Sequence, residues 1–343
     1  MFYIGIDQHK SFSQVAVLDS SGQVVKQKKL YHDSPELFRK FFTPYSDGIA
    51  VLEANRNWDW LYDLIESEVK EVKMSHPLRT RLIAEAKVKT DKVDARVLAN
   101  LVRLDYLPEA YTPPRSIRES RGLFRFRVHI VRTRTRLKNR IHALLDRQGI
   151  RHSFSDLFGK KGRQFLDQLS MRPCYDFELT SSLFLLDAIS GELQKAQKEI
   201  RKAMKTDPCG QLLMTVPGIG ELLAYLIVYE VGEIERFSSA ERFASYCGLT
   251  PSVHQSAAKR YHGHIGKGGN HYLKWAFVEA AHVAKKRDPG LKATYARIAR
   301  KSGKNKANVA VARKLAVSVF YMLTRDMPYR YKKPSGQYLG KPE

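Results

Sequence analysis

The sequence predicts an α/β domain with a mixed sheet, followed by a mainly helical region that contains two long central helices. Three β-like runs open the chain, and helical and β-like segments then alternate. A proline-rich break, "YTPPRS", ends this alternation, and a basic, helical composition follows it. Further on, two apolar helical segments flank a Pro-Gly-Ile-Gly turn. Strands that come first and are followed by alternating helices and strands are typical of a mixed sheet with helices packed on it.

The first domain is predicted over residues 1–112. Its second and third β-like runs flank "DSSGQ", and a glycine in such a short connection is typical of a hairpin turn. The predicted elements, in chain order, are strands at 2–8, 12–19 and 23–30, a helix at 35–43, a strand at 49–54, a helix at 58–68, the strand "EVKMSH", and helices after Pro77.

The central region, residues 116–205, is predicted to contain two long helices. Residues 116–151 contain eleven Lys or Arg and two acidic residues, and apolar residues recur there every seven positions. This pattern indicates a helix with one apolar seam and a basic remainder. The segment 182–204 has apolar residues alternately three and four apart, as in a coiled coil. The spacing leaves open whether the two helices pair with each other or with another subunit.

The C-terminal domain is predicted over residues 207–327. It begins with "LLMTVPGIGELLAYLIVYEVG", and helices are expected near 269–286 and 307–325. Residues 328–343 form a basic tail with little to bury, which we expect to be loose.

The net charge of the chain is +24, from 59 Lys and Arg against 35 Asp and Glu. So large an excess indicates a polyanionic partner, and nucleic acid is the commonest one. The three cysteines are far apart, which argues against a disulfide framework or a zinc knuckle. Charged residues near the start do not fit a signal peptide, and no apolar run is long enough to cross a bilayer. We therefore expect a cytoplasmic protein with no membrane partner.

Four acidic residues are the candidate chemical groups of the first domain. Asp7 and Glu53 each follow an apolar, β-like run, and Asp91 and Asp94 stand three apart at the start of a helical segment. Residues three apart share one helix face. Two of the positions also have a structural explanation, since Asp7 can be a turn residue and Asp91 can cap the helix, but a cap explains Asp94 less well.

Such carboxylates can converge at one end of a mixed sheet. Four carboxylates in close proximity raise one another's pKa unless a cation neutralises them. Oxygen ligands of this kind suit Mg²⁺ or Mn²⁺, and a pair of such ions can act on a phosphodiester.

The stretches "YIGIDQHK", "LEA" and "KTDKVDARVLANL" resemble the N-terminal domain of the DEDD transposases. That family includes the Piv-type DNA invertases and the bridge-RNA-guided insertion-sequence recombinases. Later, "TVPGIGELLAYLI" and "RFASYCGLTPSVHQSAAKRYHGHIGKGGNHYLKWAFVEAA" resemble the second domain of the family. The resemblance implies an RNase-H-like, RuvC-type fold for the first domain. It also implies that the metal-binding and catalytic quartet is Asp7, Glu53, Asp91 and Asp94.

The resemblance also implies a serine nucleophile in the second domain. Ser256 matches, and it is followed by two alanines and by Lys259 and Arg260. Small neighbours would admit a nucleic-acid backbone, and cations would stabilise the charge that develops on the phosphate. Ser252 is the rival assignment, and an ordinary loop serine is the alternative that the residues alone favour.

Several further residues are predicted to bind nucleic acid. The turn Pro217-Gly218-Ile219-Gly220 resembles a helix-hairpin-helix turn, in which glycines let backbone amides approach a phosphate. A helix–helix turn without a ligand explains it equally well. The predicted contact residues are Arg125, Arg132, Arg136, Arg140, Gly218, Gly220, Lys259, Arg260 and Lys267.

These predictions describe an insertion-sequence transposase or recombinase that uses metal-binding carboxylates and a serine. Its expected partners are donor and target DNA, a guide RNA, and further copies of the chain in a dimer or tetramer. One alternative is a metal-dependent nuclease or junction resolvase that uses water. The other is a nucleic-acid-binding protein without catalysis.

Overall fold

The structure, a computed structural model, describes residues 1–83, 90–204, 207–256, 259–266 and 268–331, and it does not describe the side chains of 253–262. The chain divides into two compact units, Met1–Pro113 and Pro114–Glu343.

The first unit is built on a five-stranded mixed sheet of order β3-β2-β1-β4-β5. The first three strands form an antiparallel meander, whereas β4 pairs parallel with both β1 and β5. The predicted mixed sheet is therefore confirmed. The strands are β1 (Tyr3–Gln8), β2 (Phe12–Leu18), β3 (Val24–Tyr31), β4 (Ile49–Glu53) and β5 (Glu71–Ser75). The helices are α1 (Pro35–Phe42), a 3-10 turn (Thr43–Tyr45), α2 (Asp59–Ile65), α3 (Pro77–Ile83) and α4 (Asp91–Arg103).

Helices cover both faces of the sheet. On one face, Ile4 and Leu52 pack with Phe38 of α1 and Leu61 of α2. On the other face, α4 packs against the sheet in a smaller apolar cluster of Val51, Leu98 and Val102. Successive residues of a strand point to opposite faces, so a strand residue two positions from a core residue lies on the same face.

The second unit is mainly helical. Its helices are α5 (Arg115–Arg147), α6 (Lys160–Gln168), α7 (Pro173–Met204), α8 (Pro208–Leu213), α9 (Glu221–Val231), α10 (Ala240–Tyr246), α11 (His271–Arg287), α12 (Pro289–Ser302) and α13 (Lys304–Arg325). A two-stranded antiparallel hairpin, β6 (Pro251–Ser256) and β7 (Lys259–Ile265), lies between α10 and α11.

The two long helices α5 and α7 pack against each other within one chain. Ile130 clusters with Leu193, and Leu144 clusters with Leu183, so the later residues of α5 meet the earlier residues of α7. The pair is therefore antiparallel. Of the two arrangements left open by the spacing, the structure forms the intramolecular one. The second helix begins at Pro173, earlier than the predicted residue 182.

The remaining helices enclose an apolar core. Phe243, Phe277 and Leu315 of α10, α11 and α13 are fully buried in it. Within the described part of the chain, α13 alone is long and apolar enough to cross a membrane by length and composition. Half of its apolar window is buried inside the protein, as is usual for a core helix.

Candidate metal centre and nucleic-acid surface

The carboxyl ends of β1 and β4 bring two of the predicted acids to one edge of the sheet. The parallel register pairs Ile6 with Leu52, so Asp7 and Glu53 are the next residues of adjacent strands. Because Val51 packs against α4, the alternation of the strand places Glu53 on the α4 face. Asp7 lies on that face as well, since it is two residues from Gly5, over which α4 passes.

Gly5 allows α4 to approach the sheet closely. A Cβ atom at Gly5 would lie 1.9 Å from the carbonyl oxygen of Ala95 and 2.6 Å from the amide nitrogen of Ala99. Both are backbone atoms of α4, so only a residue without a side chain fits here. The close approach brings the first turn of α4, with Asp91 and Asp94, to the edge where β1 ends.

The N-terminus of α4 is capped by Thr90, whose hydroxyl accepts a hydrogen bond from the amide of Val93 at 3.4 Å. Asp91 is therefore the first helical residue, and the alternative that Asp91 is the cap is wrong. A threonine hydroxyl at the preceding position already satisfies the amide that a cap serves. The carboxylate of Asp91 consequently remains available to the sheet edge, where the helix dipole also favours a negative charge.

His9 joins two of these carboxylates. Its Nε2 atom lies 3.1 Å from Oδ2 of Asp7 and 3.2 Å from Oδ2 of Asp91. One ligand atom from each of the three residues lies within 4.8 Å of the others. The imidazole also stacks on Phe12, with ring centroids 4.6 Å apart. The sequence analysis did not include His9, although its place two residues after Asp7 in "DQHK" was a signal.

Burial raises the pKa of Asp7, and the neighbouring Asp94 and Asp91 raise it further, whereas His9 lowers it. The ionised form of Asp7 is thus disfavoured, first by its removal from water and then by the two neighbouring carboxylates. Two carboxylates and an imidazole that converge at a half-buried edge are a donor set that fits a divalent cation. Glu53 is placed beside Asp7 by strand register, and Asp94 by its electrostatic effect on Asp7.

The segment with the predicted serine folds as the β6–β7 hairpin, not as the polar loop that the sequence predicted. Pairing of Ser256 with Lys259 puts the serine at the last residue pair before the turn. The scarcity of apolar residues at alternate positions explains why no strand was predicted. The side chains of Ser256, Lys259 and Arg260, and the whole of Lys267, lie outside the described residues. The hydroxyl of the rival Ser252 donates a hydrogen bond to the carbonyl oxygen of His264 at 3.0 Å.

One predicted nucleic-acid contact, Arg125, has a structural partner. Its Nε and Nη2 atoms donate to the two carboxylate oxygens of Glu230 at 2.6 and 2.8 Å. The side chain of Glu230 is 1% exposed, and it also accepts a hydrogen bond from Asn270 at 2.6 Å. The guanidinium of Arg125 lies 5.0 Å from the ring centre of Tyr272. These contacts join α5, α9 and the start of α11.

The other arginines predicted on α5 differ from one another in their partners. Arg140 donates to Glu178 of α7 at 3.0 Å, and Arg147 shares that carboxylate. Arg132 and Arg136 make no carboxylate ion pair within the described parts of the chain. Both line a groove between α5 and α11, which is described below.

The Pro-Gly-Ile-Gly turn connects α8 to α9. Gly218 has a φ of +89°, and a Cβ atom there would lie 2.5 Å from the carbonyl oxygen of Ala280 on α11. Packing against α11 thus explains the need for glycine at 218. Gly220 has no atom within 4 Å of where its Cβ would lie. A phosphate contact at this turn stays a prediction.

Two family models match the chain over separate ranges. A DEDD transposase model of the IS110 group matches residues 4–149. A model of the IS116/IS110/IS902 transposase family matches residues 210–296. The first range contains all four predicted acids, and the second contains the β6–β7 hairpin.

Curated relatives are similar to this chain over most of its length. A putative transposase of Sinorhizobium fredii, y4pF/y4sB, is 26% identical over 97% of this chain and 87% of its own length. The transposase for insertion sequence element IS1111A of Coxiella burnetii is 24% identical over 95% of this chain and 91% of its own. The pilin gene-inverting protein of Moraxella bovis is 33% identical over 34% of this chain and 38% of its own.

Proposed function

We propose that this chain, an IS110-family DEDD transposase and thus an enzyme of DNA recombination, cuts and rejoins DNA through a metal-binding carboxylate site and a serine nucleophile. The observation that carries the proposal is the convergence of Asp7 and Asp91 at the carboxyl edge of β1. The proposed metal-binding residues are Asp7, Glu53, Asp91 and Asp94.

The carboxylates are suited to the task because the fold holds them on rigid elements. Asp7 and Glu53 end paired strands, and Asp91 lies on a helix that Gly5 fixes against the sheet. A divalent cation held there, Mg²⁺ or Mn²⁺, would neutralise the carboxylates and polarise the scissile phosphate. His9 already bridges two of the carboxylates, so it is either an additional ligand or a cationic partner that a metal ion displaces.

Ser256 is the proposed nucleophile. Its hydroxyl oxygen would form a bond to phosphorus while the bond from phosphorus to the DNA leaving oxygen breaks, and the hydroxyl proton leaves with a base or with solvent. The resulting phosphoserine ester conserves the bond energy, so a hydroxyl of a second strand can reverse the step. The hydrogen bond from Ser252 to the hairpin backbone supports Ser256 over Ser252.

Asp94 and Ser256 lie in different units of the chain, so the proposal requires the two units to cooperate, within one chain or between subunits. Strand exchange needs several active sites at once, so a homo-oligomer is part of the proposal. The outward face of α7 supports it, because Phe177 and Phe184 on that face are 73% and 72% exposed. Large apolar side chains that are exposed along one helix favour association.

The net charge of +24 supports DNA as the substrate and a structured guide RNA as a second polyanion. A cytoplasmic location follows from such partners, and we include it in the proposal.

The decisive experiment tests for a covalent intermediate. DNA that carries the element ends is incubated with the chain and Mg²⁺, and the products are separated on a denaturing gel. We expect a protein–DNA adduct that Ser256→Ala abolishes and Ser252→Ala retains. DNA nicking without any adduct, unchanged in Ser256→Ala, would show that water is the nucleophile and that the protein is a nuclease.

Mixed oligomers test how the site is assembled. If the carboxylates and the serine of one site come from different subunits, mixing Ser256→Ala chains with Asp7→Asn chains restores part of the recombination activity. If both come from one chain, the mixture remains inactive.

A further inference from the structure

The inference concerns a groove of about 380 Å³ between α5 and α11, in the second unit. Its volume lies within the range of small-molecule sites in proteins. Apolar atoms supply the floor, chiefly the side chains of Val128 and Val131, while the indole of Trp275 contributes an aromatic wall. Cations surround this apolar floor, since Arg127, Arg132 and Arg136 also line the groove.

Arg127 has an unsatisfied donor in this groove. Its Nε atom is buried and has no hydrogen-bond partner among the residues that the structure describes. Burial lowers the pKa of Arg127, and Arg134 lowers it further by repulsion. A half-buried guanidinium next to a like charge costs stability unless an anion compensates it.

Other arginines of α5 have hydrogen-bond or ion-pair partners for their guanidinium groups. Arg125 has two hydrogen bonds to Glu230, and Arg121 donates to the carbonyl oxygen of Glu230. Arg147 pairs with Glu178. In the described ranges, the three groove arginines lack any such carboxylate. Arg121, Arg125 and Arg147 thus have partners within the chain, whereas Arg127 in the groove has Arg134 as a repulsive neighbour.

A ligand for this groove needs negative charge for the guanidiniums and a flat apolar group for the indole. A nucleotide has both, because its phosphate can accept from arginine and its base can stack on an aromatic ring. Bases within a duplex are stacked on their neighbours, so only an unpaired nucleotide can offer its face to Trp275.

We propose that this groove binds one unpaired nucleotide of a single-stranded nucleic acid, with its phosphate on Arg127, Arg132 and Arg136 and its base against Trp275. This inference rests on the proposed function, because it assumes that the protein handles DNA or RNA with unpaired segments. It adds Arg127 and Trp275 to the residues that contact nucleic acid.

Trp275 itself provides the measurement. The chain has three tryptophans. The double variant Trp58→Phe, Trp60→Phe leaves Trp275 as the only tryptophan of the full-length protein, so selective excitation of tryptophan reports on the groove. An oligothymidylate of roughly 12 nucleotides, within the site sizes of single-strand binders, is titrated against this variant. We expect saturable quenching of the indole fluorescence, and the matching oligouridylate shows whether the groove prefers DNA or RNA. A blunt DNA duplex of the same length should bind without quenching.

Arg127→Gln is made in the same background. It should raise the oligonucleotide concentration at half-maximal quenching roughly tenfold, since a hydrogen bond to a charged group is lost. Its melting temperature should stay the same or rise, because an unpaired, half-buried charge is removed. Arg147→Gln is the matched control: it lies on the same helix, removes the same charge, and should change the midpoint by less than about twofold. If Arg127→Gln proves unstable, Arg132→Gln with Arg136→Gln at the groove serves the same purpose.

The outcomes separate this inference from the proposed function. Oligonucleotide binding measured by anisotropy, with no change in Trp275 emission, would overturn the groove and leave the proposed recombinase intact. Equal quenching by the duplex would also overturn it, because a paired base cannot stack there. A chain that neither binds nor cuts nucleic acid would overturn both.

Discussion

Two charged clusters of this molecule balance their charges in opposite ways. In the Glu230 cluster, made of Arg125, Glu230 and Asn270, the buried carboxylate receives two hydrogen bonds from a guanidinium and one from an amide. Every charge there has its partner inside the fold. Such an arrangement holds α5, α9 and α11 together.

In the carboxylate edge, made of Asp7, His9 and Asp91, a single imidazole serves two carboxylates, and Asp94 adds further negative charge. The fold does not supply enough positive charge, and the pKa of Asp7 is raised as a consequence of burial and these neighbours. A buried charge with partners inside the fold should therefore matter for stability, whereas carboxylates that lack enough positive charge nearby should matter for binding and activity.

The largest effect is expected for Asp7→Asn. The substitution keeps the shape but removes a proposed metal ligand, so DNA strand cleavage with Mg²⁺ should fall by about a thousandfold or more. The fold should remain, because burial raises the pKa of Asp7 and its charge is therefore a net cost to stability despite the contact with His9. A nicking assay measures the activity, and Glu36→Gln, an exposed carboxylate of the same unit, is the control. Normal cleavage by Asp7→Asn would remove the carboxylate edge from the active site.

Glu230→Ala tests the Glu230 cluster and should lower the stability of the protein. It leaves Arg125 and Asn270 without their shared partner, and breaking a buried ion pair costs about 3 kcal/mol. Arg125 is 43% exposed, which keeps the cost near the lower end of the range. Chemical denaturation measures it, with the surface pair Glu192–Lys195 as reference, where Glu192→Gln should cost less than about 1 kcal/mol. A cost that small for Glu230→Ala would mean that the cluster is not structural.

Gly5→Ala should lower both the stability of the protein and its DNA cleavage activity. The added methyl group would overlap the backbone of α4, so the helix must move, at a cost of about 1–3 kcal/mol. The shift should carry Asp91 and Asp94 away from Asp7 and reduce strand cleavage as well. Gly122→Ala is the control, since nothing lies within 4 Å of its Cβ position in α5, and alanine there should stabilise the helix by up to about 1 kcal/mol. Equal stability of both variants would contradict the close packing of α4.

The smallest effect is the pH dependence of stability at Asp7. Since its folded pKa is raised above 3.8, the folded state holds the proton more tightly than the unfolded chain. The contribution of Asp7 to the free energy of unfolding should therefore fall as pH rises from about 3.8 through the folded pKa, and stay lower above it. Asp7→Asn should be more stable than the wild type at neutral pH, and the difference should vanish below about pH 3.8. Thermal unfolding across pH measures this.

Addition of Mg²⁺ sharpens the same experiment. A cation that binds the folded edge should raise the melting temperature of the wild type and leave that of Asp7→Asn unchanged. An equal rise in both would show that Mg²⁺ binds elsewhere.

The elements of the first unit could be predicted from sequence because their signals are local. The glycine at position 22 predicts a hairpin turn, and the apolar runs around Ile4 and Val51 predict strands, from neighbouring residues alone. The β6–β7 hairpin lacks that pattern and was predicted as a loop. The cap at Thr90 was also missed, because Asp91 beside it is the stronger N-cap residue by type.

The candidate site was predictable in part. Acids that follow β-like runs pointed to Asp7 and Glu53, and a three-residue spacing pointed to Asp91 and Asp94. His9 was missed although it stands two residues after Asp7, because a histidine in a polar turn is most often simply solvated. The serine and the basic residues of the hairpin stay predictions.

By itself the sequence determined the kinds of chemistry present and their order along the chain: acids at strand ends, one strongly basic helix, and apolar seams at helical spacing. It did so because periodicity and charge are properties of neighbouring residues. Only the tertiary structure decided which charges find partners. Arg125 and Arg127 are indistinguishable as letters, yet one meets Glu230, which is more than a hundred residues away in the chain, and the other faces a groove. Pairing across such separations depends on how the helices pack, and no local pattern encodes it.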